Sequence, residues 1–338
     1  MRQKNVTIRQ LAEILQVTPT TVSLALRGKG KISEARRAEI RKLAAKLNYT
    51  PSSVAQALRG SATHTIGVII NFFDNPFFCA VFAGIEAEMK RRSYSFWVAQ
   101  SGDDPAQEQQ QARQLIARGV DGIIVLPCGQ DMRYLENFRR RGKPSVLIGN
   151  QDRGGLFAAV VADNLRGGEI AARNLCMQRM RLHIAGPENQ SMSRLRCQGF
   201  MNMLRESQPD SDPAEHIHRI NRMGHAEGYT AMVAIMQKYT PPLSIFAVND
   251  ETGLGVLKFC RRMGLSVPGE VEIIGFGDIA FLDMINMRLS TVRIPAEQMG
   301  REAARMLLRS IENGDEHGSL TMLETSFVPG ETTLKTSA

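Results

Sequence analysis

The chain has 338 residues and a net charge of +8, with 43 % hydrophobic and 22 % charged residues. A single core stops growing near ~250–300 residues, so the chain divides into two or three domains of ordinary globular composition, which suggests neither a disordered nor a membrane protein. No stretch approaches the ~18 uninterrupted apolar residues of a membrane span, and residues 1–10 hold no apolar signal region, so no membrane partner and a cytoplasmic location are expected.

The charge is concentrated at one end. Residues 1–60 hold twelve Lys/Arg against Glu13, Glu34 and Glu39, a local charge of +9, so the other 278 residues sum to −1. A short segment with so strong a potential attracts a polyanion: nucleic acid or an anionic membrane surface. The five cysteines, Cys79, Cys128, Cys176, Cys197 and Cys260, are widely spaced and form no Cys-x-x-Cys pair. They indicate neither a zinc site nor a disulfide framework, and no cofactor or metal is expected.

Thr7-Ile8-Arg9-Gln10 reads as a capping box that opens a short helix with Ile8, Leu11, Ala12 and Leu15 on one face. Only Gln16 and Val17 separate it from Thr18-Pro19, an N-cap followed by a proline suited to the first helical position. The second helix turns Val22 and Ala25/Leu26 inward. A third follows Ser33, with Ile40, Leu43, Ala44 and Leu47 on its apolar face and Arg36, Arg37, Arg41, Lys42 and Lys46 expected to face outward. Helix, tight turn and second helix form the helix-turn-helix pattern, whose second helix enters the major groove of double-stranded DNA. Pro51 to Gly60 reads either as a linker or as a short helix that orders only against DNA and a second subunit.

The string Val17-Thr-Pro-Thr-Thr-Val-Ser-Leu-Ala-Leu-Arg-Gly28, the exit Leu47-Asn48-Tyr49-x-Pro51 and the segment Ala55-Gln56-x-Leu58 resemble the LacI/GalR family of bacterial repressors. The resemblance implies that Thr18, Pro19, Thr20, Thr21, Ser23 and Leu24 lie on the recognition helix, with Pro19 and Thr20 at the usual base-reading positions. Thr7, Arg27 and the hinge residues Ser52, Ala55 and Gln56 join this DNA-binding set, and Leu58 becomes the apolar wedge pressed into the minor groove. Pro19 and Leu24 depart from relatives with hydrogen-bonding side chains there, which leaves base readout to Thr20 and thymine-methyl contacts.

From Thr65 onward, strand-length apolar runs (65–71, 94–99, 120–126, 145–148, 160–162, 182–185, 244–248, 271–276) alternate with amphipathic helix-length stretches (78–92, 106–117, 165–176, 226–238, 251–262, 297–311). The alternation implies parallel sheets with helices on both faces, and about ten strands favour two sheets. The overall class is α/β: an all-α helix-turn-helix head (1–50), a hinge (51–61), and a core (62–338). The resemblance implies that the core is periplasmic-binding-protein-like, with two doubly wound subdomains, about 62–163 with 293–320 and about 164–292 with 321–332, joined by three crossings.

In such sheets ligands sit beyond the carboxyl ends of the strands. The first strand ends in Phe72-Phe73-Asp74-Asn75-Pro76-Phe77-Phe78, apolar faces mixed with polar groups as a sugar ring requires. By resemblance, Phe77 and Phe78 touch effector, Arg196 anchors it, the loops at Asn249-Asp250 and at Asp278 complete the site, and Met223 replaces an aromatic lid. Gly149 and Gly277 stand where several relatives keep acids, which points to a pocket that is less acidic, differently shaped or emptied of its usual activity.

The expected function is therefore a sequence-specific transcriptional repressor, a homodimer or a tetramer of associated dimers. Its effector is a sugar or sugar derivative, with a nucleoside or purine as alternative. A solute-binding protein without DNA function is the rival reading. Gly-x-Ser-x-Gly, His-Glu-x-x-His and P-loop motifs do not occur, Gly253-x-Gly255 falls inside a helix, and His216 with His218 lack a third metal ligand, so an enzyme is not expected.

Overall fold

The computed structural model describes residues 6–26, 28–47, 49, 62–129, 131–152, 154–284, 286–314 and 318–334. The chain forms two compact units, Met1–Thr63 and His64–Ala338.

The first unit contains α1 (Ile8–Ile14), α2 (Pro19–Leu26) and α3 (Glu34–Lys46). The capping box forms: Thr7 Oγ1 accepts from the Gln10 backbone N–H at 3.3 Å, and Gln10 Oε1 accepts from the Thr7 N–H at 2.8 Å. Thr18 Oγ1 accepts from the Thr21 N–H at 3.1 Å, and Ser33 caps α3 through Arg36 N–H. Leu11, Ala12, Leu15, Val22, Ala25, Ile40 and Ala44 close one small core. Two of the cations expected to face outward are instead structural. Arg37 is buried and bonds the Gly30 and Ile32 carbonyls, bracing the turn after α2, while Arg36 donates to the Leu15 carbonyl and pairs with Glu39 at 2.6 Å. Arg41, Lys42 and Lys46 are exposed.

The second unit contains two six-stranded sheets. In the first, the order is β11 (Leu320–Leu323), β5 (Ala158–Ala162), β4 (Ser145–Ile148), β3 (Ile123–Val125), β1 (Thr65–Ile70) and β2 (Ser95–Gln100), all parallel. In the second it is β12 (Ser326–Val328), β10 (Ser290–Arg293), β9 (Val271–Gly277), β8 (Leu243–Ala247), β6 (Met180–Ala185) and β7 (Ile217–Arg219), parallel except for the antiparallel edge β12. β1, β4, β5, β8 and β9 are buried along their whole length, as apolar strands covered on both faces must be. Three crossings link the sheets. The last differs from expectation: β11 pairs with β5, so residues 321–323 belong to the first subdomain, and the chain returns to the second only after Leu323.

The helices are α4 (Phe77–Arg91), α5 (Pro105–Ala117), α6 (Arg133–Arg139), α7 (Asn164–Arg173), α8 (Ser191–Ser207), α9 (His225–Lys238), α10 (Asp250–Met263) and α11 (Ala296–Asn313). Three pairs cross at backbone contact through glycine. A Cβ on Gly84 of α4 would lie 2.0 Å from the Glu297 carbonyl, and one on Gly300 of α11 would meet Val81 O at the same distance. Gly168 and Gly199 join α7 to α8 in this reciprocal way, and Gly228 and Gly255 join α9 to α10. Gly253-x-Gly255 is thus a packing motif inside α10. Gly168 lets the Arg196 backbone of α8 lie directly against α7.

Candidate functional site

On the head, Pro19 and Thr20 stand exposed at the start of α2, while Thr21, Ser23 and Leu24 are half-buried. Thr18 and Thr21 are joined through their hydroxyls at 2.9 Å. Thr7 and Thr18 therefore act first as helix caps. Arg27, Ser52, Ala55, Gln56 and Leu58 lie outside the described residues.

In the core, a cavity of about 260 Å³ lies between the two sheets, at the carboxyl ends of their strands. From the first subdomain, the loop after β1 and the start of α4 supply Asp74, Asn75, Phe77 and Phe78. Asn75 Oδ1 accepts from the Phe77 N–H at 2.9 Å at the start of α4, and Phe77 meets Phe78 edge to face at 5.4 Å. From the second subdomain come Arg196 of α8, Met223, and Asn249 at the start of α10. Asn249 Oδ1 accepts from the Thr252 N–H at 2.9 Å while its Nδ2 donates to the Met223 carbonyl at 3.1 Å, tying the lid position to α10.

Arg196 dominates the floor. It is only 3 % exposed, with its guanidinium 3.7 Å over the Phe276 ring. Nε donates to Asn164 Oδ1 at 2.9 Å and Nη1 to the Val248 carbonyl at 2.7 Å. Nη2 has no acceptor among the described residues, so its donors remain for a ligand. Burial lowers the group's pKa to about 9, against the opposing pull of Asp250, and it stays cationic at neutral pH. Beneath it Phe276 belongs to an aromatic stack with Phe246, His183 and Phe200. His183 is held neutral, its pKa pushed to about 3 by complete burial.

Two expected residues stand elsewhere. Phe73 is 59 % exposed and does not line the cavity; its backbone N–H donates to Gln100 Oε1 at 2.9 Å. Asp278, in the left-handed region at φ 56°, turns to Arg293 Nε at 2.6 Å and Arg288 Nη2 at 3.1 Å. Its neighbour in space, Asp250, takes the cavity position. Asp250 Oδ1 accepts from Thr291 Oγ1 at 2.5 Å and Oδ2 from the Ile279 N–H at 3.0 Å, and burial raises its pKa to about 6.

The glycines at 149 and 277 do not leave an acid-poor pocket. A Cβ on Gly277 would lie 3.0 Å from Asp250 Oδ2, so Asp250 occupies the space a side chain there would need. Asp103, Glu227 and Glu251 also line the cavity. Asp103 accepts a short hydrogen bond from Asn71 Nδ2, and its pKa is raised by burial. Glu251 is pushed up to about 7 by burial and by the nearby Asp74 and Asp250, with Arg222 opposing. Arg222 stacks over Phe72 at 4.6 Å.

Asn150, also on the cavity wall, links the subdomains. Its Nδ2 donates to the Pro127 carbonyl at 3.1 Å, and its Oδ1 accepts from Ser191 Oγ at 2.6 Å and Met192 N–H at 3.4 Å. Asp103, Asn150, Asn164 and Arg222 follow β2, β4, β5 and β7 respectively. Applying the strand-end rule to every strand, rather than to the aromatic and family-matched loops alone, would have found them. His216 and His218 are separate from the cleft: His216 Nδ1 bonds the Arg181 carbonyl at 2.7 Å, and burial lowers the pKa of His218. Among the described residues no group of three or more His, Cys, Asp or Glu is placed to hold a metal ion, and no helix is long and apolar enough to cross a membrane.

Comparison with known proteins agrees with this division. Residues 7–52 match the family "Bacterial regulatory proteins, lacI family", and residues 175–333 match "Periplasmic binding protein-like domain". The ribose operon repressor of Haemophilus influenzae is 28 % identical over 325 residues, spanning 95 % of this chain and 97 % of the relative. The HTH-type transcriptional repressor CytR of Escherichia coli K12 is 29 % identical, spanning 93 % and 92 %. A lac repressor dimer, bound to operator and the anti-inducer ONPF, superposes with a TM-score of 0.83 at 21 % identity over 98 % of this chain and all of that one. The chain thus carries a lacI-family helix-turn-helix domain and a periplasmic-binding-protein-like domain, and the relatives that align with it over nearly its whole length are transcriptional repressors.

Proposed function

We propose that this chain is a cytoplasmic transcriptional repressor that binds operator DNA as a dimer through its head and whose grip is set by a sugar or sugar derivative bound in the cleft. The observation that carries the reading is Arg196: a buried cation whose unpartnered Nη2 faces a cavity closed by two subdomains, in a chain that begins with a helix-turn-helix. A guanidinium gives paired hydrogen bonds to vicinal hydroxyls, and the phenylalanines offer apolar faces to a ring. A LacI-family regulator from Enterococcus faecium solved with bound ribose shares the core fold, with a TM-score of 0.69 at 24 % identity.

In mechanism, the cleft has walls from two subdomains, so a ligand touching both favours one relative setting of them and shifts the population toward the dimer that holds or releases DNA. Gel shifts on genomic fragments, with and without a sugar panel, test this reading. Leu58→Gly is expected to weaken binding to the selected fragment at least tenfold more than binding to random duplex, because it removes the minor-groove wedge. Equal losses on both DNAs would contradict the hinge role.

A further inference from the structure

The cleft carries a charge pattern that selects among ligands. Its lining includes five carboxylates, Asp74, Asp103, Glu227, Asp250 and Glu251, against two guanidiniums, Arg196 and Arg222. Arg222 is already balanced, lying over Phe72 within the fields of Asp103 and Glu251. Arg196 has two of its three guanidinium nitrogens committed to protein oxygens.

The other natural anion sites in such a cleft are the N-termini of helices, where free N–H groups and the helix dipole attract phosphate. Here side chains of the chain itself stand at several of these ends. Asn75 Oδ1 accepts from the Phe77 N–H at the start of α4, and Asn150 Oδ1 accepts from the Met192 N–H in the first turn of α8. Glu227 stands in the first turn of α9, and Asn249, Asp250 and Glu251 occupy the start of α10. A further acceptor, Asn71 Oδ1, is buried at the cavity without a hydrogen-bond donor. Carboxylates therefore outnumber guanidiniums, and they approach from both subdomains, Asp74 from the first and Glu251 from the second.

Resting on the effector reading above, we infer that the cleft admits polyhydroxyl ligands that are uncharged or carry an amine and rejects their phosphorylated or carboxylated counterparts, with Asp74, Asp103 and Glu251 as the residues that enforce the choice. An anion entering this space meets a surplus of carboxylates over guanidiniums, whereas hydroxyl or ammonium groups can donate to them.

Calorimetry and thermal shift on the full chain with matched probes test the inference: D-ribose against D-ribose 5-phosphate, D-glucose and D-glucosamine against D-gluconate, and adenosine against adenosine monophosphate. The expected result is binding by at least one uncharged or amine-bearing probe, with its anionic twin weaker by about tenfold or more. The Asp74→Asn/Glu251→Gln double variant, checked for folding by circular dichroism, should narrow that ratio. An anionic twin that binds as tightly as its parent, or a ratio unmoved in the folded double variant, overturns the inference and leaves the effector site standing. A panel in which no probe binds takes down the effector reading and this inference with it.

Discussion

In the head, Arg41, Lys42 and Lys46 stand in solvent, whereas in the cleft Arg196 is buried against Phe276 and Arg222 lies among carboxylates. Both regions hold cations, yet their physics differ. Exposed cations with few acids around them create a field that reaches a polyanion from a distance and is screened by salt. A buried cation with two fixed partners has no such reach, but what hydrogen bonds it offers are directional and poorly screened. On the proposed reading, cations thus serve long-range attraction at one end of the chain and short-range recognition at the other. The difference is set by burial and by the acids nearby, not by the residue.

The largest expected effect separates these two roles directly. Raising salt from 50 to 200 mM should weaken DNA binding by about 10³-fold or more if six or more phosphates are contacted, while ligand affinity measured by calorimetry changes less than about twofold. Comparable salt slopes for both would break the contrast. Next in size is Gly199→Ala. The added methyl would meet the Leu165 carbonyl at 2.0 Å and must part α7 from α8, so a loss of about 3 kcal/mol in urea unfolding is expected. A loss below about 1 kcal/mol would mean that the crossing tolerates a side chain.

Arg196→Ala should then reduce ligand affinity by roughly 30-fold, since a charged hydrogen-bonding group contributes about 2 kcal/mol, while the DNA affinity of the ligand-free protein stays within about twofold. An unchanged ligand response would remove Arg196 from the site. The smallest effect concerns pH. Glu251 is raised from 4.5 to about 7, so it binds a proton more tightly folded than unfolded; its contribution is present below the lower value and lost as pH rises through the higher one. Glu251→Gln should therefore flatten the fall of Tm across that window by roughly 2–3 °C in calorimetric scans. Parallel curves for the two proteins would place Glu251 in an ordinary solvated setting.

The parts legible in the sequence were those governed by local rules. Capping at Thr7, Thr18 and Ser33 depends on neighbours three residues away, and the buried strands β1, β8 and β9 declare themselves as apolar runs. What the sequence concealed is set by distant partners. Leu320–Leu323 reads as a strand fragment, but nothing local says that its neighbour is β5, 158 residues earlier in the chain at its closest end. Asp278 follows a strand as a ligand-binding acid should, yet Arg288 and Arg293 claim it, and Asp250, reached through Thr291 and Ile279, stands at the cavity in its place. Arg37 looked like one more outward cation because its spacing along α3 does not reveal that the Gly30 and Ile32 carbonyls lie within its reach. The acidity of the cleft was only partly visible for the same reason: Asp74 and the Asn249-Asp250 loop were read as site candidates, whereas Asp103, Glu227 and Glu251, brought in from other loops, were not.

The most direct test follows the full chain on a genomic fragment that it selects from a library, by fluorescence anisotropy at about 0.15 M salt, while a sugar that raises its Tm is titrated in. The account predicts at least a hundredfold preference for that fragment over random duplex and a tenfold or greater change in that affinity at saturating sugar. Equal affinity for selected and random DNA, unmoved by the sugar, would contradict it.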